Sequence, residues 1–236
     1  MSKVLRPLLV ALAVIGFSAT GAVAAEKASA PPGPPQPYKN KVTNFAYNLL
    51  FCDIPALFIQ NKNLKSDTPL YRVLHAGAKD SGAVRAIAMD AQGDSCTRML
   101  AFDWLRAHKQ TVPPKVVLGV VFEMGSKDGP ATVAAYADGN VRFISDTEEL
   151  ASFPPNTPSI APKAKDLLAR AQTMIKKMDA WKEPRVIAPP YGIMRITFLA
   201  SGGLYFGDGE FRHMVHDKFG GPAIHSAVDL MKAVSK

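Results

Sequence analysis

The chain has 236 residues, 47% of them hydrophobic and 20% charged, the balance of a globular protein with a real core rather than a polypeptide too polar to fold. Its 28 basic residues outnumber its 20 acidic ones, for a formal charge of +8, and such an excess suits anionic lipid headgroups or polyanionic polymers. No basic run exceeds two consecutive residues, so the charge reads first as solubility, and nucleic acid is not an expected partner.

The first 24 residues have the layout of a secretory signal peptide. Lys3 and Arg6 give a positive start, Leu8 to Phe17 form a short apolar run, and Ala22-Val23-Ala24 supplies the small-x-small pattern at which signal peptidases cut. The run of about ten residues is far shorter than the ~20 of a spanning helix. Cleavage is expected after Ala24, with Ala25 as the alternative, and the mature protein is expected in the periplasm or outside the cell. No later segment is long and apolar enough to span a membrane. Residues 25–40, centred on Pro31-Pro32-Gly33-Pro34-Pro35-Gln36-Pro37, read as an extended proline-rich linker.

Residues 41–112 read as a helical region. Asn44 to Asp53 carries Phe45, Leu49, Leu50 and Cys52 at near-helical spacing. Pro55 opens a second short turn, Leu70 to His75 a third, and Asp80 or Ser81 caps a fourth over Ala83 to Ala91. After the Gln92-Gly93-Asp94 break, Asp94 or Ser95 caps a helix from Cys96 to about Lys109. Its Met99, Leu100, Phe102, Trp104 and Leu105 cover more than one face, which predicts burial on most sides. Cys52 and Cys96 are the two cysteines; in an oxidising compartment an isolated pair forms a disulfide, although two buried thiols would fit the same sequence.

Residues 113–236 change period. Val116 to Phe122 is a continuous, β-branched-rich run that reads as a central strand. Thr132 to Ala137 and Val141 to Phe143 follow as strands about the Asp138-Gly139 hairpin signal, and Leu150 to Phe153 as a short addition. The turn's own chemistry accounts for Asp138, with a role for it or Arg142 as the alternative. A long amphipathic helix starts with Pro162 at its first position, with Ala164, Leu167, Leu168, Ala171, Met174, Ile175 and Met178 in its stripe, closed by Trp181. Its other side carries Lys163, Lys165, Arg170, Lys176 and Lys177, a solvated face or a docking face for an anionic envelope surface. Ile193 to Leu199 and Leu204 to Phe206 form a hairpin about Ser201-Gly202-Gly203. Helices over Glu210 to Asp217 and Pro222 to Val234 end the chain. Hairpin-joined strands pair antiparallel. The expectation is therefore an α+β fold: an antiparallel sheet of about five strands with a long crossing helix, in profilin, roadblock or PAS-like topology, preceded by the helical region and forming one unit with it.

The densest set of metal-capable side chains is Asp208, Glu210, His213, His216 and Asp217. The two histidines stand three apart on one face of the expected helix, and three or four such groups could hold a divalent metal such as zinc, with imidazoles at ~2.0–2.1 Å. The two acids equally suit the start of a helix, where they complement its dipole. Other chemistry is sparse: Ser201 sits in a hairpin turn without a G-x-S-x-G elbow. Gly207-Asp208-Gly209 lacks the third glycine of a nucleotide loop, and no haem or EF-hand motif occurs.

Leu49-Leu50-Phe51-Cys52-Asp53, Val133-Ala134-Ala135-Tyr136-Ala137-Asp138-Gly139 and Gly202-Gly203-Leu204-Tyr205-Phe206-Gly207 resemble recurring blocks of an uncharacterised family of bacterial exported proteins. The resemblance implies a widespread bacterial module and transfers no activity, ligand or site residue. The reading is thus an exported, non-catalytic binding or protein-interaction module without a cofactor, using a protein partner or its own second copy. The alternatives are a small metal-dependent enzyme built on the Asp208–Asp217 cluster and an envelope-docking factor.

Overall fold

The computed structural model describes residues 33–60, 62–185 and 187–236, and among them five α-helices precede the first strand. They are α1 (Lys41–Leu49), α2 (Pro55–Ile59), α3 (Pro69–Leu74), α4 (Ser81–Met89) and α5 (Ser95–Ala107). The leader, the Ala24 cut site and most of the proline-rich stretch lie outside the described residues. Side chains set several helix starts. The Asn40 amide oxygen accepts from the Val42 N–H at 2.8 Å, and the Thr68 hydroxyl accepts from the Tyr71 N–H at 3.2 Å with Pro69 behind it. Of the two candidates at α5, Asp94 is the cap: its Oδ1 accepts from the Thr97 N–H at 2.7 Å, and Ser95 becomes the first helical residue.

The sheet is formed by β1 (Val117–Met124), β2 (Ala131–Tyr136), β3 (Val141–Ile144), β4 (Leu150–Phe153), β5 (Ile193–Ala200) and β6 (Gly203–Glu210), in the order β4-β3-β2-β1-β5-β6. Every pairing is antiparallel. The helix α6 (Ala161–Met174) carries the chain from β4 to β5; α7 (Phe211–Met214) and α8 (Gly221–Val234) follow β6. Six strands among the described residues replace the five expected, because Leu150–Phe153 pairs in full with β3.

Helices cover both faces of the sheet. On one face Val120, Phe122, Val133, Ile196 and Phe198 meet Leu167, Ala171, Ile224 and Leu230 of α6 and α8. On the other, Leu118, Val121, Ala134 and Leu199 meet Tyr47, Phe51, Met99, Phe102 and Leu105 of the N-terminal helical layer. This double cover explains why β1 reads as an unbroken apolar run although it is antiparallel: both of its faces are interior. Burying a side chain such as Phe122 contributes roughly 1.5–3 kcal/mol against leaving it in water. Residues 34–236 form one unit, so the helical region and the sheet share cores.

Three expectations shift. Pro162 is the second residue of α6, after Ala161. Trp181 does not close the α6 stripe; its N–H donates to the Leu204 carbonyl at 2.7 Å and its ring packs edge-on against Phe206 at 4.7 Å. The helix expected over Glu210–Asp217 is only α7, since β6 runs on to Glu210 opposite Ile193.

Candidate ligand site in the helical layer

The N-terminal helices do not close completely. Between α3, α4 and α5 lies a solvent-open cavity of about 460 Å³, with Leu64, Leu70 and Ile87 as apolar wall and Asp90, Asp94 and Arg98 at its polar end. That volume lies within the ~300–1,000 Å³ range of small-molecule sites. No cysteine, histidine or serine lines it, and the Thr97 hydroxyl in its wall is engaged with Asp94 at 2.7 Å.

Arg98 is the unusual member. It sits on a helix whose Cys96, Met99, Leu100 and Phe102 are all interior, and it is itself only 8% exposed. Its Nε donates to the Ala88 carbonyl at 3.2 Å, one of the carbonyls that the last turn of α4 leaves without a helical partner. Among the described residues no carboxylate oxygen lies within 4.0 Å of the guanidinium, and neither Nη group has a hydrogen-bond partner. Burial lowers its pKa from the usual arginine value, against the opposing charges of Asp90 and then Asp138. A largely buried side chain that keeps two solvent-reached donors at an apolar cavity is suited to recognising an anion.

The two acids are exposed and half used. Asp90 Oδ1 accepts from the Gln92 N–H at 3.0 Å, and Asp94 Oδ1 caps α5. The second oxygen of each takes no hydrogen bond among the described residues. The base of α5 is fixed from two sides. Ser95 and Asp138 exchange hydrogen bonds, Ser95 N–H to Oδ2 at 2.8 Å and Asp138 N–H to Oγ at 3.0 Å, so the hairpin turn docks the helix. Cys96 is disulfide-bonded to Cys52 with their Cα atoms 5.1 Å apart.

Comparison with protein-family models, with curated proteins and with solved structures finds no match. The site's chemistry therefore rests on the chain's own residues.

A second polar cluster lies under the same layer and is largely buried. Glu123 on β1 is fully buried, and its Oε1 accepts from the Tyr47 hydroxyl at 2.7 Å. Burial pushes its carboxyl above the ordinary range, outweighing the Tyr47 hydrogen bond and the nearby Arg195 and Arg185 charges. Arg185 donates to Asp53 at 2.9 Å and to Asn48 at 2.7 Å, and it lies 3.8 Å from the centre of the Phe51 ring. Glu123 Oε2, Asp53 Oδ1 and Arg185 Nη1 are buried without a partner. This cluster fastens the connector before β5 onto α1.

The residues expected to hold a metal are dispersed. Asp208 accepts from Arg195 at 3.0 Å across the β5–β6 ladder. Asp217 Oδ1 accepts from the Phe219 N–H at 2.9 Å and from the Gly220 N–H. Glu210 and His213 approach to 3.5 Å in full exposure, and His216 lies beyond the end of α7 rather than on a shared helical face. Among the described residues no three His, Cys, Asp or Glu side chains are placed to hold a metal ion. The residues that do converge, Arg98 with Asp90 and Asp94, are not among the expected site residues. Their one visible sign was an arginine inside an otherwise apolar helix face, just as Glu123 was a charge inside an apolar strand.

Proposed function

We propose that the chain is an exported, non-catalytic binding module whose ligand is a small molecule held between α3, α4 and α5. The observation that carries this reading is Arg98: nearly buried, without an ion-pair partner among the described residues, and lining an apolar cavity. Export rests on the leader's charge, length and Ala22-Val23-Ala24 ending, and it agrees with the Cys52–Cys96 bond, which an oxidising compartment favours. A binding module of this kind could offer a partner either a sheet face or an edge strand; helices cover both faces, which leaves the edge strands β4 and β6 for that role. The comparison with profilin, roadblock or PAS-like folds, which mostly sense, bind or dimerise, belongs to the same proposal and adds only analogy.

The test uses protein recovered from the periplasmic fraction, with its N-terminus sequenced, and the neutral fluorescent probe N-phenyl-1-naphthylamine. The expected result is an N-terminus at Ala25, with probe binding that saturates near one per chain and is lost in A86W, which places an indole in the cavity. Protein retained in the cytosol with Met1 would overturn export. Non-saturable binding, or binding indifferent to A86W, would overturn the cavity.

A further inference from the structure

The polar end of the cavity restricts what can occupy it. Among the described residues it offers one guanidinium, on a residue only 8% exposed, whose two Nη groups meet solvent alone, and two carboxylates that each keep one oxygen free. Asp90 is the largest charge influence on Arg98, yet no carboxylate oxygen stands within 4.0 Å of it. The opposite charges act on each other across a gap and do not pair.

Each simple ligand class leaves part of this arrangement unmatched. An apolar monocarboxylate satisfies Arg98 but brings its charge up to Asp90 and Asp94. An apolar amine suits the two acids but brings its charge up to the guanidinium. A neutral hydrocarbon leaves all three groups as they were. A zwitterion supplies a partner for each sign. Its carboxylate takes the Nη fork in the two-point geometry that guanidinium favours, and its ammonium takes a free oxygen of Asp90 or Asp94. The Leu64, Leu70 and Ile87 wall then requires the rest of the molecule to be apolar.

We infer that the cavity recognises an apolar α-amino acid of the leucine or phenylalanine class, with Arg98 reading the carboxylate and Asp90 the ammonium. This rests on the cavity reading above and specifies its ligand. Recognition is by paired charge and shape, with no bond made or broken.

Isothermal titration of the mature protein tests it with L-phenylalanine, N-acetyl-L-phenylalanine, which lacks the ammonium, and phenethylamine, which lacks the carboxylate. Displacement of N-phenyl-1-naphthylamine is measured alongside. Phenylalanine should bind roughly 10–100-fold more tightly than either truncated compound, the span expected for losing one charged hydrogen-bonding group. D90N, an exposed position whose Oδ1 bond to Gln92 an asparagine can keep, should weaken phenylalanine and leave the N-acetyl compound as tight or tighter, since a like charge is removed. R98M should weaken phenylalanine and leave phenethylamine as tight or tighter, with its unfolding midpoint recorded because Arg98 also holds the Ala88 carbonyl. Phenylalanine binding no tighter than both truncated compounds overturns the inference. If the probe still binds and A86W still abolishes it, the cavity reading stands without this ligand class; if the probe fails as well, both fall.

Discussion

Breaking the Cys52–Cys96 bond is the perturbation whose size follows most directly from the chain. The bond closes a loop across 44 positions. In the chain-entropy account, a loop of that length stabilises the fold by about 4 kcal/mol, by restricting the unfolded chain. For a unit of this size each kcal/mol moves the melting midpoint by roughly 2–4 °C, so reduction should lower it by about 8–16 °C. The assay is thermal unfolding followed by far-ultraviolet circular dichroism, with and without a phosphine reductant, and with thiols counted by mass after alkylation. C52A/C96A gives a second route to the same state, with an added loss because Cys52 is fully buried and Cys96 nearly so. An unmoved midpoint in protein shown to carry two free thiols would refute the loop-entropy reasoning. Free thiols in protein taken directly from the periplasm would instead refute the oxidised state and weaken the export reading.

The remaining predictions concern separate parts of the molecule. Glu123 has a raised carboxyl pKa in the fold, so the native state keeps a proton that the unfolded chain releases. Its favourable contribution is complete below the ordinary carboxylate range, near pH ~4.3, and is lost as pH rises toward the folded value. The unfolding free energy of E123Q should therefore gain on that of the parent as pH rises from about 4, and a constant difference in urea titrations across that range would contradict this. At Gly125 a Cβ would fall 2.6 Å from the Pro189 carbonyl oxygen and closer still to that of Pro190, both fixed backbone atoms. G125A should cost about 1–3 kcal/mol or more in chemical denaturation, and a cost within error of zero would show that the connector yields freely. Zinc added at stoichiometric concentration should leave the melting midpoint unmoved, because Asp208 and Asp217 are already engaged. A chelator-reversible rise abolished in H213A/H216A would restore the metal reading.

Much of the fold was legible, for local reasons. The hairpin at Asp138-Gly139 announces itself through its turn residues, and the α6 stripe through its spacing; the interior residues Ala164, Leu167, Ala171 and Met174 are those that the period selects. Asp94 was nameable as a cap because capping depends on the side chain and the next few residues alone. The failures were non-local. Whether Glu210 ends a strand or begins a helix is decided by Ile193, seventeen positions earlier, which pairs with it across β5–β6. The metal cluster was inferred from nearness in sequence, whereas Asp208 is claimed by Arg195 from the neighbouring strand. Arg98 could be seen as an anomaly in an apolar helix, but its meaning depends on α3 and α4 leaving a space beside it, and no periodicity encodes a space.

The two halves of the proposed site differ in how firmly they are held, and that difference gives the disulfide a functional consequence. Arg98 belongs to α5, which is fastened at its base by the Cys52–Cys96 bond, by the Ser95–Asp138 exchange and by the interior residues Met99, Leu100, Phe102 and Leu105. Asp90 stands at the end of α4, whose interior residues are only Val84 and Ala88. Arg98 and Asp94 are thus the fixed reference, and Asp90 at the end of α4 is the part a ligand must hold still; regions with few interior contacts open at lower free energy. Loosening the fixed side should blur the charge pattern before it abolishes the cavity. Reduction at a temperature where the protein remains folded should accordingly weaken phenylalanine more than the neutral probe. Equal weakening of both would mean that the bond supports the cavity's shape alone and has no particular hold on the position of Arg98.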